Sequence, residues 1–202
     1  MKPIVLLKRT IFAAALIPAA VLVFDAFTGQ LTANPIDFIT DTTGDWTIRF
    51  LIITLSITPI RRVTGWNPII QLRRMLGLFA FFYATLHFLT WSVLDWFFDL
   101  RQMGADIVKR PFITLGMATF VMLLALAVTS TQKSIRRLGR RWTQLHRLIY
   151  VAATTALFHF WLARKTVVLQ FQVLLVAGVL LLGFRAWWTL RTRTHARPST
   201  AH

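Results

Sequence analysis

Five histidines occur in the 202 residues, and three of them, His87, His146 and His159, fall in apolar stretches long enough to cross a bilayer. An ionisable side chain is costly in that setting and marks a functional candidate. His195 and His202 sit in a polar tail and read as solvated. His87 precedes Asp95, at the outer end of its stretch, by about 12 Å of helix, and His159 precedes Arg164 by about 8 Å. Both stretches run from the inner to the outer side, which brings the two imidazoles to similar depth on neighbouring helices. Two neutral imidazoles so placed can hold one metal from opposite sides, as in a bis-histidine haem. A lone intramembrane histidine also serves as an interhelical hydrogen-bonder. Three of them suit a haem-free proton or transition-metal transporter as well. No intramembrane carboxylate accompanies them, since Asp95 and Asp99 lie near the outer rim.

His146 stands about 20 Å inward of His159 on the same stretch and cannot share its metal. On a straight helix it also points some 140° away from His159. The positions of the third stretch at matching depth are Arg73 and Arg74, which are not haem ligands. His146 is therefore left with a non-histidine co-ligand, a propionate, a quinone or a flavin as its partner. Haem propionates need counter-charges, for which Arg73, Arg74, Arg141 and Arg147 are available on the inner side and Arg110 and Arg164 on the outer. Charge sorting across a membrane places arginines in the same positions. The candidate cofactor-binding set is thus His87, His146, His159, Arg73, Arg74 and Arg147, with His87 and His159 as metal ligands and His146 as a separate one. The eight Trp and 17 Phe suit a haem pocket and a lipid-facing wall equally.

The elements that must carry these residues are set by composition. The chain is 56% hydrophobic and only 15% charged, against about 45–50% and about 25% in soluble domains. The expected fold is an all-α integral membrane protein, a bundle of about six transmembrane helices. The spans are read at Thr10–Phe27, Trp46–Ile60, Leu72–Phe98, Phe112–Ser130, Trp142–Ala163 and Val167–Leu190. The first reads as a retained helix, because its apolar run exceeds the roughly 7–15 residues of a signal-peptide core. No internal repeat is evident. The organisation expected is a tail over 1–9, one membrane domain over 10–190 and a basic tail over 191–202. Cysteine is absent, which excludes disulfides, thiolate chemistry and iron–sulfur clusters.

Net charge is +16. With both termini cytoplasmic, 17 of the 23 Lys and Arg lie inside and six outside, and all seven acidic residues, every one an aspartate, lie outside. That asymmetry sets orientation and accounts for the basic surplus without nucleic acid.

Several segments carry a resemblance. Arg73-Arg74-Met75-Leu76-Gly77-Leu78 followed by Tyr83-Ala84-Thr85-Leu86-His87, and Arg110-Pro111-Phe112-Ile113-Thr114-Leu115-Gly116, are similar to segments of the MsrQ (YedZ) family. So are Thr129-Ser130-Thr131-Gln132, Leu138-Gly139, Trp142, Gln144-Leu145-His146 and Tyr150, with His159 and Trp161 beyond. The similarity spans about residues 10 to 190. It implies a haem b membrane subunit of the ferric-reductase-like group in the bacterial inner membrane, with one haem or two. The family's three intramembrane histidines fall on His87, His146 and His159. Electrons from the quinone pool or a cytosolic flavin reductase would pass to a periplasmic molybdopterin subunit, MsrP, which reduces methionine sulfoxide in envelope proteins. Flavin mononucleotide (FMN) is implied by the resemblance alone. Such a chain breaks no substrate bond and is a non-catalytic redox subunit.

Overall fold

The structure, a computed structural model, describes residues 2–163 and 169–194, and among these every regular element is helical. Arg164, Lys165, His195 and His202 lie outside the described residues. Helix α1 spans Lys2–Thr28, α2 Pro35–Thr64, α3 Arg73–Leu89, α4 Leu100–Lys109 and α5 Pro111–Val128. Then come α6 Gln132–Leu138, α7 Arg140–Leu145, α8 Leu148–Ala163 and α9 Leu169–Thr194. Pro3–Thr28, Asn67–Asp95 and Pro111–Val128 are long and apolar enough to cross a membrane. The other three expected spans correspond to α2 with its charged ends, the 16-residue α8, and α9 with its apolar stretch Gln172–Arg185.

In lipid, helices gain little from burying apolar surface against one another and associate through small residues and hydrogen bonds. Ala80 and Ala152 are fully buried, and the Thr119 and Thr155 hydroxyls meet at 2.7 Å between α5 and α8. α3 packs on α2 and α8 on α5, while α3 with α5 and α2 with α8 close a four-helix square. The helices bearing His87 and His159 stand across its diagonal. α9 covers α2 and α8. α1 is tied on by Tyr83, whose hydroxyl donates to Ala15 O (2.7 Å) and accepts from Ala19 N–H (3.2 Å) beside Pro18.

Several boundaries differ from the sequence reading. α1 is continuous from Lys2, so no break falls at 9/10. α2 begins eleven residues before Trp46, because Pro35 occupies its first turn and Asn34 bonds Asp37 (2.6 Å). Asp37, Asp41 and Asp45 are therefore helical rather than in a loop. The third stretch changes to a π-turn at Thr90–Asp95 and reverses at Phe97 and Phe98, both with positive φ. α4 follows as an extra short helix. Asp99 caps it, and the Gln102 and Arg101 amides hold its carboxyl below the usual range. The fifth stretch is broken at His146 and Arg147, where a tight turn joins α7 to α8.

Candidate functional site

His87 on α3 and His159 on α8 face each other inside the square, with ring centres 6.0 Å apart and planes at 74°. The His87 Nδ1–H donates to Thr40 O on α2 (2.9 Å) and the His159 Nδ1–H to Phe112 O on α5 (2.6 Å). A backbone carbonyl cannot donate, so each bond places the proton on Nδ1 and leaves the Nε2 lone pair free. Metal-bound histidines are oriented by this kind of outer bond. Metal–imidazole bonds of about 2 Å put the ring centres of a shared metal's two ligands about 6.3 Å apart. The separation of the pair therefore matches that of two imidazoles sharing one iron. The Thr40 hydroxyl, buried without a hydrogen-bond partner, adds a polar atom beside the same carbonyl. Phe120 stacks on Phe88 at 4.6 Å and on Phe81 at 5.9 Å, making an apolar wall where α3 meets α5.

Outward of the pair, the π-turn aims Trp91 at α4, and its indole N–H donates to Asp106 (3.3 Å). Asp106 is buried and paired with Arg110 at 2.9 Å, which pins α4 to the start of α5. Arg110 is thus committed to Asp106. Buried Asp106 also does not belong to the exposed acidic surface, where Asp37, Asp41, Asp95 and Asp99 remain.

The structure does not bring His146 to the pair. It lines a separate cavity of about 1130 Å³ at the end of the bundle where α3 begins, with Arg73, Arg74, Arg147, Trp142 and Tyr150. Arg185 of α9 also lines it, with its guanidinium over the Tyr150 ring at 4.6 Å. Arg141 is not among the lining residues. The His146 ring stacks on Trp142 at 3.9 Å, and Trp142 is held by its own bond to Thr129 O (3.0 Å). His146 Nδ1 lies 3.2 Å from Trp142 O, and its Nε2 meets the Ser130 hydroxyl at 3.5 Å, so both ring nitrogens have a protein neighbour, unlike those of the pair. The turn after α7 voids the straight-helix estimate of where His146 points. Four arginines, two aromatic rings and an imidazole around one open space suit a planar anion. Sequence reasoning missed the Trp142 stack, Arg185 and both orienting carbonyls, since backbone acceptors carry no residue signature.

The described residues thus form a helical bundle with apolar, membrane-length helices and an opposed histidine pair. Residues 43–157, more than half of the chain, match the family described as ferric reductase like transmembrane component. The chain is 50% identical to the protein-methionine-sulfoxide reductase heme-binding subunit MsrQ of Herminiimonas arsenicoxydans, over 97% of this chain and 92% of that one. Identity is 46% to the protein of the same name from Ralstonia nicotianae (91% and 86% covered) and 44% to that from Xanthomonas oryzae pv. oryzae (97% and 93%). The chain belongs to the MsrQ family.

Proposed function

We propose that this chain is the transmembrane electron-transfer subunit of a periplasmic methionine sulfoxide reductase system, holding haem b between His87 and His159. The observation that carries the reading is the opposed imidazole pair with both Nδ1 protons tied to carbonyls and both Nε2 atoms left for iron. The name that those relatives bear, heme-binding subunit, supports it. A haem bound there supplies a one-electron relay partway across about 30 Å of hydrocarbon. The chain's own part would be to present the two Nε2 atoms that would hold the iron, to keep water out with the Phe88–Phe120 wall, and to hold the end beyond the pair closed through Trp91, Asp106 and Arg110. Electrons enter from the quinone pool or a cytosolic flavin reductase and leave to a periplasmic molybdopterin-containing partner, MsrP. The membrane is the bacterial inner membrane, with the start of α1 and the end of α9 on the cytoplasmic side. The 17-to-6 distribution of Lys and Arg supports that orientation.

The arginine-rich cavity favours a second site on the cytoplasmic side. There Arg73, Arg74 and Arg147 neutralise an anionic cofactor, a second haem b or FMN, or orient a quinone headgroup, with His146 as ligand or contact. Visible spectroscopy of the detergent-purified chain tests the reading. A reducible Soret band with sharp α and β bands is expected. A colourless protein overturns it in favour of the haem-free metal or proton transporter.

A further inference from the structure

The two halves of the histidine pair are copies of one arrangement. In each, the imidazole donates to a carbonyl 47 residues earlier, Thr40 or Phe112, and lies against the glycine four residues after that carbonyl, Gly44 or Gly116. Every member of the second set follows its counterpart in the first by 72 residues. The register continues along the helices. Gly44, Thr47 and Leu51 of α2 correspond to Gly116, Thr119 and Leu123 of α5. Ala80, Ala84, His87 and Phe88 of α3 correspond to Ala152, Ala156, His159 and Phe160 of α8. The equivalent residues are buried alike where it matters for packing: Leu51 and Leu123 at 2%, Ala80 and Ala152 at 0%. A two-helix unit is thus used twice, each copy delivering one imidazole to the centre.

The glycine is the tightest point of each unit. A Cβ on Gly44 would stand 3.2 Å from both Cε1 and Nδ1 of His87. One on Gly116 would stand 2.8 Å from Cε1 and 2.9 Å from Nδ1 of His159, closer than side chains tolerate. The atoms met include the nitrogen that donates to the carbonyl. A ring pushed off the glycine must therefore strain or lose that bond and turn Nε2 away from the centre. We propose that Gly44 and Gly116 are positioning residues for the two imidazoles, kept free of a side chain so that each ring lies flat enough on the neighbouring helix to aim Nε2 at a shared iron. This rests on the haem reading above and deepens it. Helix stability cannot explain the glycines, because alanine is favoured over glycine within a helix by about 0.5–1 kcal/mol. Replacement by alanine therefore disturbs coordination rather than the helix backbone.

The test uses the full chain in detergent with Gly116→Ala, Gly44→Ala and, as control, Gly183→Ala in α9, where an added Cβ meets nothing within 4 Å. Haem per folded protein, the low-spin EPR signal and the midpoint potential are measured, alongside His87→Ala and His159→Ala. Gly116→Ala is expected to weaken haem binding about 10-fold or more, the usual scale for loss of ligand orientation, with a high-spin signal in what remains. Gly44→Ala, with its looser contact, keeps haem but shifts the low-spin signal and the potential, and Gly183→Ala matches the parent. Should Gly116→Ala fail to accumulate, Gly44→Ala decides alone. A parental spectrum and potential in the glycine variants, with haem lost from the histidine variants, overturns this inference and leaves the haem reading standing. Haem retained in full by both histidine variants removes the reading itself, and the inference with it.

Discussion

The histidine pair and the arginine-lined cavity are built in opposite ways. At the pair, both rings are fixed by backbone carbonyls and backed by another helix, so that very little can move. At the cavity, a single imidazole rests on Trp142 among four arginines around about 1130 Å³ of open space. The first is organised by coordination geometry, in which a small error in ring angle costs a bond. The second is organised by charge, which acts over distance and tolerates different shapes. On the proposed reading, the first is the permanent relay and the second the entry point for electrons.

The histidines separate the two regions most sharply. His87→Ala or His159→Ala is expected to lose most low-spin haem and all transfer to the periplasmic partner, because on the proposed reading each would remove one of the two protein bonds to iron. His146→Ala is expected to spare that signal and slow reduction from the cytoplasmic side. Haem content and reduced-minus-oxidised spectra at matched protein levels check this, and loss of all haem in His146→Ala with a normal His87→Ala would reverse the assignment. The ring planes at 74° sharpen it further. Were the two rings to hold one iron at that angle, its EPR signal would be strongly anisotropic.

A smaller effect is expected at the cavity. Charge-assisted hydrogen bonds contribute about 1.5–3 kcal/mol each, so Arg74→Ala should weaken an anionic occupant about 10-fold or more. Stopped-flow reduction by the donor measures this, while the outer haem spectrum should stay unchanged. Asp106→Asn should lower the thermal stability of α4 docking by about 1–2 kcal/mol, through loss of the Arg110 pair in a partly exposed setting. A lower apparent Tm with an intact spectrum is the expected result. The smallest effect belongs to the acidic surface. Neutralising Asp37 and Asp41 should slow electron delivery only about two- to threefold at low salt and not at all at high salt. A salt-independent loss would mean that these residues shape the site rather than the encounter.

Much of this contrast is legible in the residues themselves. Helix rise alone matches the depth of His87 to His159 and separates His146 from both. The arginines of the inner side stand out by charge sorting, and Arg73, Arg74 and Arg147 do line one cavity. The 72-residue repeat is also present in the residues, as Ala-x3-Ala-x2-His-Phe at Ala80–Phe88 and again at Ala152–Phe160. It passes unnoticed because the residues between differ in the two copies, buried ones included: Tyr83 stands where Thr155 does, and Thr85 where Leu157 does. Once the carbonyl bonds fix the register, the equivalence is plain.

What the amino-acid sequence by itself determined is the membrane class and the relative depth of the histidines along their helices. These follow from hydropathy and helix rise, which are properties of single segments. Only the tertiary structure decided that α3 and α8 stand across a diagonal, that Thr40 and Phe112 carbonyls set the imidazole protons, and that glycines meet the rings. It also decided the turn at His146 and the pairing of Asp106 with Arg110 and Trp91. The physical reason is that hydrogen-bond partners and close approaches depend on how helices are placed beside one another. Two segments with the same composition can carry the same histidine at the same depth and still point it anywhere around the helix.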